Sequence, residues 1–539
     1  MLPTYSMRAI VVALLLCAST ALSNSNSTYL NPILPGFHPD PSCIFVPEVN
    51  HTFFCATSSF SLFPGIPIYA SKDLAHWRLA SHAISRPEQL PDLALTNGST
   101  SGVWAPTIRY RDGTFYITST LVFDDFRDNN ASRFDNFIVH SKDPFSSSSW
   151  SDPVHFPFVG IDTSLFWDED GATYFQGASP TWIKKGIYHS KIDIHTGALS
   201  GPLVNLWNGT GGNSPEGPHI YRKDGWYYLS IAEGGTGLPH EENVARSRSL
   251  DGPYGSYVGN PILTNANTSA YFQTVGHADI FQDAKGQWWA VALATRSGPE
   301  YTVYPMGRET ILTPAVWPEG GWPRLSRVKG EMTAHQLPPT EIIERGEGQL
   351  IGERDIVDFT PGTSLPTHFL HWRAPVPENY EVSPPGHDHQ LELRSSMLNL
   401  TGYDGNTTNH HGGLTFVARR QEDTLFTYSV DLEFSPDAEE QEAGVSIFLT
   451  QDHHYDLGLV LLPSANDSEA LTMHLRAGGM SLRSTPETLI AMNSTWLGQA
   501  ITLEIKAFNF THYSLSAGPT QHAHLMQTIA NIGRSLLYH

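Results

Sequence analysis

Five times between residues 53 and 289 the chain repeats one local theme, a turn followed by two adjacent aromatic residues: Phe53-Phe54, Phe115-Tyr116, Tyr174-Phe175, Tyr227-Tyr228 and Trp288-Trp289. Three pairs follow Asp-Gly (Asp112-Gly113, Asp170-Gly171, Asp224-Gly225) and a fourth follows Lys285-Gly286. Asp-Gly supplies the positive φ of a tight hairpin turn, and aromatic residues favour the pleated, half-buried surface of a strand. A short polar stretch trails four of the pairs: Ala-Ser-Lys-Asp-Leu from Ala70, His-Ser-Lys-Asp-Pro from His140, His-Ser-Lys-Ile-Asp from His189 and Ala-Arg-Ser-Arg-Ser-Leu from Ala245. Strand units recurring every 55–65 residues or so, each unable to bury a face alone, predict an all-β domain built as a five-bladed β-propeller. An ordinary sandwich would have to match five such turns in phase by coincidence. In a propeller the first strand of each blade lines the channel, and those strands are expected to begin near Asp40, Trp104, Asp162, Glu216 and His277.

At 539 residues the chain is too long for one core. After a Pro-rich connection that includes Trp317-Pro-Glu-Gly-Gly-Trp-Pro323, period-two alternation without the Asp-Gly-aromatic theme predicts a second all-β domain, a sandwich. Its expected strands lie in Leu391–Arg394, Gly413–Arg419, Phe426–Phe434, Ala443–Thr450, Tyr455–Leu462 and Ile501–Phe508. The boundaries expected are a leader at 1–23, the propeller at 24–325, a linker at 326–353 and the sandwich at 354–539. Met1–Ser23 has a lone Arg8, an apolar run from Ala9 to Leu16 and a small-residue site at Ala21-Leu22-Ser23, the pattern of a secretory signal peptide. Eleven Asn-X-Ser/Thr sequons agree with a secreted, extracellular glycoprotein. Cys17 would leave with the leader, and Cys43 and Cys55 then face each other across a hairpin either as a disulfide or as buried thiols. A net charge of −22 argues against nucleic acid as a partner, and no run after the amino terminus is long and apolar enough to span a membrane.

Three carboxylates stand at blade starts: Asp40 in His-Pro-Asp-Pro-Ser, Asp162 in Gly-Ile-Asp-Thr-Ser, and Glu216 in Ser-Pro-Glu-Gly-Pro. The prolines around Asp40 restrict its neighbours' backbone and hold the carboxylate in one posture, although Pro-Asp-Pro alone is also an ordinary turn. Hydrolysis of a glycosidic bond with inversion needs one carboxylic acid to protonate the leaving oxygen and one carboxylate to activate water from the opposite face. A third carboxylate would hold the acid protonated by like-charge repulsion. Glu233 and Asp279 are rival carboxylates and read as supporting residues.

The motifs Asn-Pro-Ile-Leu-Pro-Gly-Phe-His-Pro-Asp-Pro-Ser (31–42), Ser-Gly-Val-Trp-Ala-Pro (101–106), Gly-Ile-Asp-Thr-Ser-Leu-Phe (160–166), Ser-Pro-Glu-Gly-Pro-His-Ile-Tyr (214–221), Ala-Glu-Gly-Gly-Thr-Gly (232–237), Gly-His-Ala-Asp (276–279) and Met-Gly-Arg-Glu-Thr (306–310) together resemble glycoside hydrolase family 43, in its β-xylosidase and α-L-arabinofuranosidase branch. The resemblance continues at 442–458 into that branch's carboxy-terminal, concanavalin-like β-sandwich. It implies Asp40 as general base, Glu216 as general acid and Asp162 as the residue that tunes the acid. It also implies Arg296 on the sugar hydroxyls, His277 at the pocket bottom, and Trp104 and Phe60 as apolar walls. The implied partner is a hemicellulose oligosaccharide, with no required cofactor. Some relatives hold calcium near the position of His277, an ion that a neutral imidazole would contact mainly through water.

Other readings predict different residues. A non-catalytic carbohydrate-binding propeller would lack at least one of the three carboxylates. A fructan-cleaving enzyme would carry Asn-Asp-Pro-Asn in place of His-Pro-Asp-Pro-Ser, and an arabinan-cleaving member of the same family would generally lack the sandwich. Relatives also continue beyond the region matching Phe510–Gly518 with a Phe-Thr-Gly-like segment over the pocket rim, where this chain runs to His539 without one. The expectation is therefore a sandwich short of its last strand or two and a pocket without that lid.

Overall fold

The computed structural model describes residues 27–126, 130–334, 336–402, 413–464 and 467–536. The leader, Cys17 and the sequons at Asn26, Asn406 and Asn466 lie outside the described residues. Strands dominate both domains, and among the described residues no helix is long and apolar enough to cross a membrane.

The first domain contains five four-stranded antiparallel sheets, each a meander. Their inner strands are Ser42–Val46, Gly102–Arg111, Ile161–Trp167, Glu216–Lys223 and Phe272–Gln282. Each inner strand packs against the next and the fifth packs against the first, which closes a ring. All five aromatic pairs fall in the second strands, Thr52–Ala56, Thr114–Val122, Thr173–Ser179, Trp226–Glu233 and Trp288–Arg296. Phe54, Phe115, Phe175, Tyr228 and Trp289 are fully buried, so each sheet contributes one ring to the packing between sheets. Phe54 meets Phe115 of the next sheet edge-on, with centroids 5.0 Å apart. Asp112-Gly113 and Asp224-Gly225 have positive φ at both residues (50° and 78°; 53° and 68°), the two-residue turn whose twist matches its flanking strands.

The inner strands are irregular near their amino-terminal ends. Pairing shifts between Trp104 and Thr107, between Ile161 and Ser164, between Glu216 and His219, and twice between Gln273 and Asp279. Such bulges put an extra residue in one strand and re-aim side chains. Within them Ala105, Asp162, Gly217, Thr274 and His277 have left-handed backbone, and Asp40 (φ 53°) has it just before the first inner strand.

The ring is clasped by the chain's own earlier and later segments. Ser27–Leu30 pairs antiparallel with Glu331–Ala334. The buried Asn31 amide donates to the carbonyls of Leu312 (3.0 Å) and Lys329 (3.1 Å), while its oxygen accepts from the Leu312 N–H (2.9 Å). The expected linker at 326–353 is corrected here: it supplies the clasp and then lies along the first sheet, where Leu79 N–H donates to Gln349 (3.1 Å) and Arg78 to Gly348 (2.9 Å). Cys43 and Cys55 are directly opposed in the first sheet and form a disulfide.

The second domain stacks two four-stranded sheets. One is Phe426–Leu432, Ile501–Ala507, His512–Pro519 and Gln527–Gly533; the other is Glu442–Thr450, His453–Ser464, Asp467–Met480 and Thr488–Ala491. Tyr455, Leu457, Leu503, Tyr513 and Leu515 fill the core between them. The strand expected across Gly413–Arg419 shrinks to Ala418–Arg419. The residues after Phe510 depart from the expected ending, because Gln527–Gly533 folds back along His512–Pro519 and adds a strand to the first of these sheets. The two domains are joined by main chain: Leu62–Phe63 pairs with Phe369–Trp372, and the N–H of Arg373 donates to Ser61 (2.6 Å).

Asn31→Ala removes three of the clasp's side-chain hydrogen bonds and takes a partner from the buried Leu312 N–H. The expected loss is about 2–3 kcal/mol, read as a lower denaturant midpoint for the first domain; an unchanged midpoint would show that the clasp does not hold the ring.

Candidate active site

The left-handed residues gather three carboxylates at one mouth of the ring. Asp40 is buried, with one oxygen accepting from Arg308 Nη1 (2.9 Å) and the other from the Ser58 hydroxyl (2.6 Å). His277 Nδ1 lies 3.9 Å from Asp40 Oδ1. Asp162, also buried, accepts from the N–H of Gly217 at 3.0 Å, which ties the third inner strand to the residue after Glu216. Gly217 is required on two counts: its φ is +56°, and a Cβ there would come within 2.9 Å of the His277 ring.

Their surroundings push the three groups apart in acidity. Burial opposes ionisation of Asp40, but Arg308, then His277 and the Ser58 hydroxyl, outweigh it and hold its carboxyl below the ordinary 3.8. Burial raises Asp162, against His277 and with the Asp40 charge adding. Burial, then the charges of Asp162 and Asp40, drive Glu216 well above its ordinary 4.5. The cluster therefore rests with an ionised Asp40 and a protonated Glu216. That is the division of labour between a base and an acid.

The walls are aromatic. Phe60 stacks between Phe37 (5.5 Å) and Trp104 (5.6 Å), and the Arg308 guanidinium lies 5.1 Å from its ring centroid. Phe60 has left-handed backbone (φ 51°) and bridges to Val103, and a Cβ on Gly102 would sit 2.1 Å from the Phe60 carbonyl carbon. Beside Glu216 opens a cleft of about 190 Å³ lined by Trp104, Arg133, Phe134, Ile161, Trp182 and Pro215 among others, all from the first domain. The arrangement thus has a wall for a sugar ring on the Asp40 side and open space beyond the acid.

Asp40, Asp162, Glu216, His277, Trp104 and Phe60 lie together at this mouth. Arg296 is tied to a different carboxylate. Its Nε and Nη2 are both held by Glu309, at 2.6 and 2.9 Å, and that buried carboxylate also accepts from the N–H of Gly36. The arginine facing the carboxylates is Arg308, one residue before Glu309; the Met-Gly-Arg-Glu-Thr motif contained it, but nothing in spacing alone separates the two arginines. Ser58 was also missed, since a lone serine carries no sequence signal. Glu233 and Asp279 make buried contacts of their own. Glu233 accepts from Thr210 and Asn243, and Asp279 pairs in bidentate fashion with Arg109 (2.7 and 3.1 Å), which brings it down to about 2 despite its burial. Among the described residues no group of three or more His, Cys, Asp or Glu side chains is arranged to hold a metal ion.

A ring of sheets that gathers three buried carboxyls at one mouth, walled by aromatic rings, has the parts that glycoside hydrolysis needs. Residues 29–323 match the model of glycosyl hydrolases family 43, and residues 357–524 match a beta xylosidase C-terminal concanavalin A-like domain. The chain belongs to glycosyl hydrolases family 43. It is 36% identical to a non-reducing end alpha-L-arabinofuranosidase of Bacteroides ovatus, over 81% of this chain and 76% of that one. It is 33% identical to a xylosidase/arabinosidase of Butyrivibrio fibrisolvens, over 80% and 79%. The crystal structure of a GH43 protein from Bacillus licheniformis superposes with a TM-score of 0.79 at 29% identity, covering 95% of this chain and 92% of that one.

Arg308 favours the ionised form of Asp40, so its removal must raise the pH at which the base ionises. Arg308→Gln is expected to move the acid limb of the kcat/KM profile to higher pH and to lower the plateau by about 10²-fold through a misplaced base. Arg296→Gln should leave the acid limb where it is. Identical profiles for the two variants would overturn the assignment.

Proposed function

We propose that the protein is a secreted exo-glycosidase that releases terminal xylose or arabinofuranose from xylan or arabinoxylan oligosaccharides with inversion, on the framework of a five-bladed propeller. The observation that carries this reading is the opposite bias of two carboxyls in one cluster, Asp40 towards its anion and Glu216 towards its acid. The names of relatives support the substrate class, since they include a xylosidase/arabinosidase and a xylan 1,3-beta-xylosidase of Vibrio.

In this mechanism the terminal sugar stacks on Phe60 and Trp104. Asp40, oriented by Arg308 and Ser58, takes a proton from a water molecule as that water attacks the anomeric carbon. Glu216 gives its proton to the glycosidic oxygen as the bond breaks, and the leaving sugar departs through the cleft beside it. Asp162 keeps Glu216 loaded by charge repulsion and holds Gly217 in place. Secretion is supported by the leader-like amino terminus and by the sequon asparagines at 50, 97, 130, 208, 267, 399, 493 and 509, none of which is buried.

Glu216→Ala and Asp40→Ala are each expected to cut hydrolysis of xylo-oligosaccharides by about 10²–10⁴-fold. On an aryl glycoside with an activated leaving group, which needs little proton assistance, Glu216→Ala should retain far more activity than Asp40→Ala. Equal losses on both substrates would refute the assignment of acid and base.

Proton NMR of the wild-type reaction tests the stereochemistry separately. The first sugar released is expected to have the opposite anomeric configuration to the substrate. A retained anomer appearing first would replace the water-activating base with a nucleophile.

A further inference from the structure

His240 plays no part in the mechanism above, yet its ring is buried against the acid. Its Nδ1 lies 2.9 Å from the carbonyl oxygen of Thr274. A carbonyl only accepts, so Nδ1 carries the hydrogen and a neutral ring must present a lone pair at Nε2. Burial, despite the Thr274 hydrogen bond and the Asp40 charge, brings His240 down to about 4, so the ring is neutral at working pH. Among the described residues Nε2 has no hydrogen-bond partner, and it stands 3.9 Å from Glu216 Oε1. A Cβ on residue 276 would lie 2.8 Å from Nε2; glycine there lets the ring stand flush with the inner strand.

We propose that His240 is a positioning residue for the catalytic acid, and that its Nε2 accepts the carboxyl hydrogen of Glu216 between turnovers. This rests on the reading of Glu216 as the acid. A small side-chain rotation closes 3.9 Å to hydrogen-bond distance. A half-turn about the terminal Glu torsion, which has a broad two-fold profile, then swings the hydroxyl from His240 to the glycosidic oxygen. No bond to His240 forms or breaks. It favours the neutral carboxyl because a lone pair facing a carboxylate repels it and facing a carboxylic acid binds it. The groups that act on Glu216 through charge are Asp162, Asp40, Arg308 and Glu242, the last itself pushed up to about 8 by burial, and His277 faces Asp40. His240 faces it as a neutral ring with an open lone pair. The tautomer imposed by Thr274 is what makes the ring suited to hold a proton on its neighbour and unsuited to give one.

The test compares His240→Phe, which keeps a buried ring but removes the acceptor, with His240→Gln, which restores an amide oxygen. With xylo-oligosaccharide substrates, His240→Phe is expected to lose about tenfold in kcat/KM on the alkaline side of the profile, with the acid limb unmoved and most of the loss recovered in His240→Gln. With an activated dinitrophenyl glycoside, both variants should match wild type. An unmoved alkaline limb in His240→Phe would overturn the proposal. So would an equal loss on both substrates in both variants, partial or complete, since that marks a packing role. If wild type gives a retained product, or Glu216→Ala loses equally on both substrates, it is the assignment of Glu216 that fails.

Discussion

The site depends on backbone that turns left-handed where a regular strand would not. Side chains of a regular strand alternate between faces, so a channel lined by straight strands would present residues at fixed steps and none aimed along the mouth. Asp40, Asp162, Gly217 and His277 all have φ between 53° and 56°, the first three at the entry to three inner strands and His277 at a bulge within a fourth. A non-glycine residue at such φ is disfavoured, and it persists only where the surroundings hold it. Here the surroundings are the neighbouring entries themselves: Gly217 donates to Asp162, and the same glycine leaves room for the ring of His277. Each strained entry is part of the support for the next, so the catalytic geometry is a property of the ring and of no single sheet.

Charge is arranged with the same economy. Arg308 and Glu309 are sequence neighbours facing different tasks. Arg308 reaches the base, whereas Glu309 is buried with Arg296 and with the N–H of Gly36, four residues before Asp40. Both therefore steady Asp40, one through its carboxylate and one through the loop that presents it. The sandwich acts on the opposite wall. Its strand Phe369–Trp372 pairs with Leu62–Phe63, two residues beyond the ring of Phe60, and Arg373 anchors Ser61. A domain with no carboxylate at the site thus holds the chain on which the Phe60 wall stands.

Much of this was legible in the sequence because it is local. A turn followed by two aromatic residues, with Asp-Gly in three of the five copies, marks a hairpin and its buried ring, and the five copies fall in five sheets. The carboxylates were legible for a related reason: Pro or Gly beside Asp40 and Glu216 marks backbone held for a purpose. What sequence does not reveal is pairing across the ring. Arg296 and Arg308 are 12 positions apart and both lie near a strand end; only the fold shows that Glu309 claims the first and leaves the second for Asp40. The segment 326–353 read as a linker because proline and glycine interrupt it, yet it pairs with residues about 300 positions earlier. The strands Asp467–Met480 and Gln527–Gly533 were passed over because Gly478-Gly479 and scattered histidine and asparagine blur their alternation. Their partners, and not their own residues, make them strands.

The clasp also sets the order in which a growing chain acquires its chemistry. Asp40 is among the first residues synthesised, but the loop that presents it is held from the far end of the domain: His38 N–H donates to Arg308 (2.9 Å), Leu34 bridges to Thr310, and Ser27–Leu30 waits for Glu331–Ala334. A ribosome-bound chain can build its sheets one after another while the base stays unplaced, and the last segment to emerge locks the first. A domain cut before Glu331–Ala334 therefore lacks the backbone partners that hold its first strand, Ser27–Leu30.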